Sequence, residues 1–91
     1  MAETLSEDEI SENAPTDWKH EGNEIVRVYE FEEYLDGVSF ATEVAELADE
    51  AFHHPEIRVR FDEVEVRLTS HEAGGVTDQD IEMAERFDDV R

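Results

Sequence analysis

Three histidines lie close together in the second half of the chain: His53, His54 and His71. Histidine both accepts and donates protons near neutral pH, because its ordinary pKa is about 6.5. Pro55 holds the residue before it extended and cannot donate a ladder hydrogen bond, so the double histidine lies where a loop enters a strand. Folds usually present reactive groups at such strand ends. The residue types and their spacing therefore predict an acid-base site.

The residues between the double histidine and His71 predict an antiparallel hairpin, because apolar and charged residues alternate in two short runs. We expect the turn at Asp62-Glu63. The cross-strand pairs are then Phe61 with Val64, Val59 with Val66 and Ile57 with Leu68. All six apolar side chains share one face in this register. Its extension places His54 opposite His71.

Helical spacing and turn residues predict the elements that hold this hairpin in place. These elements are a short helix capped at Ser6 within the acidic segment 1–13, a hairpin over residues 17–31 that turns near Gly22-Asn23, a long helix from Glu32 to Phe52 and a final helix from Thr77 to about Asp88. The long helix leads directly into the double histidine and so fixes its position.

The order of these elements, α-β-β-α-β-β-α, predicts an α+β fold. Each hairpin has one apolar face, so the economical arrangement is a four-stranded antiparallel sheet with helices packed on one face. We expect residues 1–91 to form a single domain. Because a chain of this size buries only a modest part of its surface, self-association would add stability.

The composition is strongly acidic, since 27 Asp and Glu against 7 Lys and Arg give a net charge of -20. Concentrated salt screens such self-repulsion, so this balance is typical of proteins from salt-accumulating halophiles. It excludes a basic surface for nucleic acid. No apolar run approaches the roughly 20 residues of a membrane span, and the N-terminus lacks a signal-peptide pattern. We therefore expect a cytoplasmic protein with no nucleic-acid or membrane partner.

A set of residues around the histidines resembles the signature of the pterin-4a-carbinolamine dehydratase family. The set comprises His53-His54-Pro55-Glu56, Phe61, Val64, Thr69-Ser70-His71-Glu72, Gly75 and Asp80, with Trp18, Gly22 and Phe31 following the family's order nearer the N-terminus. The chain departs from the family at Phe52, where Asp or Asn is usual, and a polar neighbour that could orient the double histidine is missing there. The resemblance implies the same α+β fold and homodimers or homotetramers.

The resemblance also implies a 4a-hydroxytetrahydrobiopterin dehydratase, an enzyme of tetrahydrobiopterin-type cofactor recycling. Its reaction removes water from a 4a-hydroxytetrahydropterin and gives the quinonoid dihydropterin. Matched by position, the catalytic residues are His53, His54 and His71, and the substrate-binding residues are Phe52, Pro55, Glu56, Thr69, Ser70 and Glu72. We expect His53 and His71 to transfer protons and His54 to orient the pterin. The elimination requires no metal and no organic cofactor.

Three other interpretations stay open from the sequence. Imidazoles with Glu56 or Glu72 could supply a zinc-type ligand set, although adjacent histidines in an extended strand point to opposite faces, so only one could join His71. The resemblance also allows a non-catalytic dimerisation module, since some family members act as partners of a transcription factor, or a role in molybdopterin metabolism. Finally, the histidines could simply cap the hairpin.

Overall fold

Two hairpins and three helices make up the computed structural model, which describes residues 3–91. The strands are β1 (Lys19–Glu21), β2 (Glu24–Glu30), β3 (Glu56–Val59) and β4 (Glu63–Leu68). The helices are α1 (Glu7–Asn13), α2 (Tyr34–Ala51) and α3 (Asp78–Asp89). The predicted element order and fold class are confirmed. Met1 and Ala2, the start of the predicted acidic segment, lie outside the described residues.

The strands form one antiparallel sheet in the order β1-β2-β4-β3, so the two hairpins join through the central strands β2 and β4. The first hairpin turns at Gly22-Asn23 as predicted, and Gly22 has a φ of 59°. None of the helices in the described part of the chain has both the length and the apolar character needed to cross a bilayer.

The first and last helices each begin at a capping box, in which the side chain of each of two residues accepts a hydrogen bond from the backbone N–H of the other. In α1 the pair is Ser6 and Glu9, and in α3 it is Thr77 and Asp80. Both N-caps are those that the sequence predicts. The second capping box also builds part of the candidate site.

The core lies between one face of the sheet and the helices. Val64, Val66 and Leu68 of β4 are fully buried there. The helices contribute Phe40, Val44 and Ala48 from α2 and Ile81, Ala84 and Phe87 from α3. A Cβ on Gly37 would lie 3.4 Å from Val64 Cγ2, so the absence of a side chain lets α2 approach β4 closely.

The β3–β4 hairpin is paired two residues away from the predicted register, and that prediction is wrong. Ile57 lies opposite Val66 and Val59 opposite Val64. The turn falls one residue earlier than expected, which leaves Phe61 at its tip with 78% of its surface exposed. The shift is an even number of residues, so the apolar face of the hairpin is preserved.

Charges on the opposite face of the hairpin explain the observed register. Glu56 lies opposite Arg67, and Arg58 lies opposite Glu65. In the predicted register Arg58 would have faced Arg67, and like charges directly across two strands are destabilising. The correction also removes the predicted pairing of His54 with His71, because the extended observed register places position 54 against position 69.

The face of the sheet that points away from the helices, here called the open sheet face, is held together by ion pairs. Its centre is Glu65, which is only 6% exposed. Glu65 accepts hydrogen bonds from Arg67 Nε at 2.5 Å and from an Arg60 terminal nitrogen at 3.0 Å, and Arg58 lies 3.5 Å away. The bond from Arg67, followed by that from Arg60, holds the pKa of Glu65 below its ordinary value against the effect of burial.

Candidate active site

The end of α2 positions the double histidine. Phe52 follows the last helical residue with φ 51° and ψ 39°, a left-handed conformation that turns the chain out of the helix. The next backbone N–H, that of His53, donates to Ala48 O at 3.1 Å and closes the turn. This geometry ends the helix in the way a glycine or asparagine usually does. Asp or Asn would suit this position for its backbone conformation.

His53 turns inward and meets a buried carboxylate. Its Nε2 bonds to Asp80 Oδ1, and the two side chains are 11% and 0% exposed. The other oxygen of Asp80, Oδ2, accepts from Ser70 Oγ at 2.8 Å and from the Thr77 backbone N–H at 2.9 Å. Buried carboxylates require such donors, because an unpaired one would lose its hydration without compensation.

The contact with Asp80 assigns a role to each nitrogen of the His53 ring. An ionised carboxylate only accepts hydrogen bonds, so the hydrogen lies on Nε2 in the neutral imidazole. Nδ1 is then the nitrogen with a free lone pair. A proton arriving at Nδ1 creates an imidazolium that the carboxylate of Asp80 stabilises. This geometry leaves His53 able to accept a proton at Nδ1.

His54 turns the other way. Its Nε2 lies 3.1 Å from Asp49 Oδ1, and both side chains are exposed. His54 also lines a cavity of about 390 Å³ between α2 and the start of β3. The other lining residues include Ala45, Pro55 and Ile57. The sequence prediction that adjacent histidines point to opposite sides holds, and Asp49 supplies the polar neighbour that the position of Phe52 lacks.

His71 is exposed on residues 70–76, here called the His71 loop. The loop closes on itself, because Ser70 N–H donates to Gly75 O at 2.9 Å and Gly74 N–H donates to Ser70 O at 2.9 Å. Ser70 also bonds to Asp80. The residue next to His71 in sequence is thus tied to the carboxylate that holds His53. We refer to the three histidines together with Asp49 and Asp80 as the histidine cluster.

The arrangement can be compared with known proteins. A family model described as pterin 4 alpha carbinolamine dehydratase matches residues 3–90. The chain belongs to this family. The resemblance inferred from the histidine motif is confirmed.

Similar proteins within the pterin-4-alpha-carbinolamine dehydratase family include several from salt-loving archaea. One from Halobacterium salinarum is 66% identical over 91 residues and covers 100% of both chains. One from Natronomonas pharaonis is 54% identical over 90 residues, or 99% of this chain and 98% of the relative. Both carry the name "Putative pterin-4-alpha-carbinolamine dehydratase". Their sources fit the acidic composition of this chain.

A solved structure has the same fold. It is described as a transcriptional coactivator/pterin dehydratase from Brucella melitensis, and it is 30% identical with a TM-score of 0.89. The match covers 96% of this chain and 97% of that one. The α+β architecture with its two hairpins is therefore that of the dehydratase family.

The family residues predicted to bind substrate lie in different surroundings. Phe52 and Glu72 are exposed, and Pro55 is half-buried. Thr69 Oγ1 donates to Asn23 O at 2.6 Å, across to the first hairpin. Ser70 is buried and bonds to Asp80 and Thr77. Glu56 lies on the open sheet face and accepts from Arg58 Nε at 2.7 Å, so its carboxylate points away from the histidine cluster.

The sequence motifs alone do not reveal the contacts of Asp80 and Asp49 with the histidines. The capping box at Thr77-Asp80 could be recognised from the chain alone, but its second partner, His53, comes from a distant element. Asp49 lies one helical turn before the double histidine, and that spacing was a usable signal. The left-handed turn at Phe52 brings Asp49 beside His54, five residues further along the chain.

No three His, Cys, Asp or Glu side chains within residues 3–91 are arranged to hold a metal ion. His53 and His54 point to different sides, and their partners are the carboxylates of Asp80 and Asp49. The cluster is thus organised as hydrogen-bonded imidazole-carboxylate pairs.

A larger cavity of about 780 Å³ lies away from the histidines. Phe31 and Phe40 line it together with acidic side chains that include Glu30, Asp36 and Glu43. Its lining contains no histidine. We therefore place the candidate active site of this family member at the histidine cluster.

Proposed function

We propose that this protein is a 4a-hydroxytetrahydrobiopterin dehydratase. A base removes the proton from N5 of the substrate, the electron pair forms the C4a=N5 double bond, and the hydroxyl on C4a leaves as water after an acid protonates it. The products are the quinonoid dihydropterin and one water molecule. Paired base and acid groups are what this elimination needs.

The contact between His53 and Asp80 is the observation that carries this proposal. His53 is the proposed base, acting through Nδ1, because Asp80 holds the hydrogen on Nε2 and stabilises the imidazolium that forms. His71 is the proposed acid, since its exposed position lets it recover a proton from water after each turnover. A buried carboxylate behind an imidazole also orients the ring, as in other catalytic sites.

His54 is the proposed residue that binds and orients the pterin, with Asp49 holding its ring. The other proposed binding residues are Phe52, Pro55, Glu56, Thr69, Ser70 and Glu72. Phe52 is 87% exposed directly beside the double histidine, and an exposed aromatic ring offers a flat surface for a planar heterocycle. The Ser70 hydroxyl is engaged by Asp80, so we propose that its contribution comes from the backbone.

We further propose a single catalytic domain over residues 1–91 that works in the cytoplasm as a homodimer or homotetramer, without metal or organic cofactor, in the recycling of tetrahydrobiopterin-type cofactors. A second subunit would cover apolar surface such as Leu35, which is 72% exposed on α2. Burying such surface is favourable by about 25 cal/mol per Å².

A second candidate function is a non-catalytic interaction module. The solved structure from Brucella melitensis is described as a transcriptional coactivator as well as a pterin dehydratase, which favours this alternative over a role in molybdopterin metabolism. In this reading the histidines would be dispensable. The two functions make opposite predictions for turnover.

The decisive experiment is a stopped-flow measurement of the decay of freshly generated 4a-carbinolamine in high salt, with and without the protein. The proposed dehydratase accelerates the decay, and a chelator leaves the rate unchanged. A protein that folds and associates normally but produces no acceleration would overturn the enzyme proposal and favour the interaction module.

A further inference from the structure

The N-terminal residues 3–6, here called the N-terminal segment, touch the loop that presents His71. Leu5 N–H donates to Val76 O at 2.8 Å. Thr4 lies against Gly75, where a Cβ added to the glycine would come within 3.2 Å of Thr4 Cγ2. The segment therefore contacts two successive residues at the end of the His71 loop.

Neighbouring structure anchors the N-terminal segment at its other end. Ser6 caps α1, and Ile10 of that helix is 3% exposed in the core. Leu5 packs against the same core. Because the anchor is buried, the segment is a fixed surface for the loop to rest on.

The His71 loop is held at both ends, where Ser70 bonds to Asp80 and Val76 is buried in the core. Gly74 has a φ of 83°, a conformation that glycine adopts freely and that gives the loop little intrinsic stiffness. His71 and Glu72 are exposed. At the Gly75–Val76 end, the hydrogen bond from Leu5 N–H to Val76 O adds the N-terminal segment to the contacts that hold the loop.

We infer that the N-terminal segment is a positioning element for His71. This inference rests on the proposed function, in which His71 is the acid. A proton donor contributes fully only when it is held within hydrogen-bond reach of the group it protonates. The segment supplies that hold through Leu5 and Thr4, without touching the substrate, so it acts on turnover more than on substrate binding.

The contact between Thr4 and Gly75 allows a test by rescue. Gly75→Ala inserts a methyl group against Thr4 Cγ2 and pushes segment and loop apart. Thr4→Ser removes that methyl carbon and should restore the fit in the double variant. We expect kcat to fall about 3- to 10-fold in Gly75→Ala with little change in KM, and to return to within about twofold of the parent in the double variant.

Thr16→Ser is the matched control, because it removes the same methyl group from an exposed threonine outside the segment. Combined with Gly75→Ala it should rescue nothing. Equal kcat values for Gly75→Ala and its double variant with Thr4→Ser would overturn the inference, as would a Gly75→Ala variant with the activity of the parent.

A second measurement separates this inference from the proposed function. The NMR signals of the His71 imidazole should shift or broaden in Gly75→Ala and recover in the double variant with Thr4→Ser, while those of His20 stay unchanged. This result does not depend on turnover. If the parent protein fails to accelerate carbinolamine decay, the proposed function falls, and unchanged His71 signals would separately overturn the positioning role.

Discussion

The open sheet face and the histidine cluster each surround one buried carboxylate, with different partners. Glu65 on the open sheet face is held by the guanidinium groups of Arg67, Arg60 and Arg58. Asp80 in the cluster is held by a hydroxyl, a backbone N–H and the imidazole of His53. Only the second arrangement contains a donor that can release and recover a proton near neutral pH.

This difference separates stability from chemistry. Arginine stays protonated throughout the ordinary pH range, so Glu65 and its partners form a fixed set of charges. An imidazole gains and loses a proton at little cost near its ordinary pKa. The carboxylate of Asp80 can therefore stabilise a positive charge that is present on the imidazole only in its protonated form. Substitutions in the two regions should therefore affect different measurements.

The largest effect is expected for His71→Ala. Loss of a positioned acid typically lowers turnover by about 10² to 10⁴. The free energy of unfolding should change by only about 0.5 kcal/mol, because the side chain is exposed. Stopped-flow kinetics and thermal melts in the same high-salt buffer measure both.

Two other histidines serve as controls for that result. His54→Ala should raise KM more than it lowers kcat, and His20→Ala on β1 should change neither. Full activity in His71→Ala, or its unfolding, would contradict the proposed role of the His71 side chain.

Asp80→Asn should lower kcat by about 10². The amide oxygen can still accept from Ser70 and Thr77, while the amide N–H₂ faces His53 Nε2 and forces the ring hydrogen onto Nδ1. Nδ1 of His53 then carries the hydrogen and has no lone pair with which to accept the N5 proton of the substrate. Stability should fall by only about 1 kcal/mol, since most hydrogen bonds of the carboxylate are kept.

The Asp80→Asn result can be checked against Ser70→Ala, which removes one donor to the same carboxylate but leaves the His53 contact. If both variants lose kcat in proportion to their loss of stability, then Asp80 is merely structural and the assigned tautomer of His53 is wrong.

Glu65→Gln should act on the open sheet face alone. We expect a loss of about 1–3 kcal/mol of unfolding free energy, because the charged hydrogen bonds from Arg67 and Arg60 weaken, and an unchanged kcat. Chemical denaturation at several pH values measures the first quantity. An unchanged unfolding free energy, or a loss of turnover in the folded variant, would contradict the assignment of stability to the open sheet face and of turnover to the histidine cluster.

The loss of stability in Glu65→Gln should depend on pH in a defined direction. The pKa of Glu65 in the folded protein lies below its ordinary value of 4.5. The ionised side chain therefore stabilises the fold fully above about pH 4.5, and this contribution disappears as the pH falls through the lower folded pKa. The difference in unfolding free energy between the parent and Glu65→Gln should therefore decrease toward zero as the pH is lowered below 4.5.

The smallest expected effect is a gain in stability of about 0.5 kcal/mol for Phe52→Asn. Asparagine tolerates the left-handed conformation at this position better than phenylalanine. The same change removes the exposed ring and should raise KM for the pterin. Phe52→Ala is the matched control, with the same rise in KM and no gain in stability. An unchanged KM in both variants would exclude the ring from substrate binding.

Sequence patterns were sufficient to predict the elements, their order and the caps of the first and last helices. The reason is that these features depend on residues near in sequence: Ser6 with Glu9, Gly22 with Asn23, and the apolar spacing of α2. The histidine motif also led to the correct family. Local sequence patterns were therefore enough to predict the fold class.

Features that depend on distant pairs could not be obtained in the same way. The hairpin register was misjudged because its apolar face fits two registers equally well, and the deciding charges of Arg58 and Arg67 lie on the other face. The partner of His53 was missed because Asp80 is 27 residues away. Both errors concern polar contacts. Polar contacts require particular partners at particular positions, whereas apolar side chains pack with many partners.

The two oxygens of Asp80 have consequences for how this family should be compared across lineages. Oδ2 joins the start of α3 to Ser70, and Oδ1 holds His53. A related protein that has lost the activity would still need the contacts of Oδ2 to fold. Selection for folding alone would therefore retain the aspartate. His71, which is exposed, would be free to drift. Under the proposed mechanism, a retained Asp80 is thus poor evidence for activity, and loss of His71 beside a retained Asp80 is the pattern expected of a descendant without dehydratase activity.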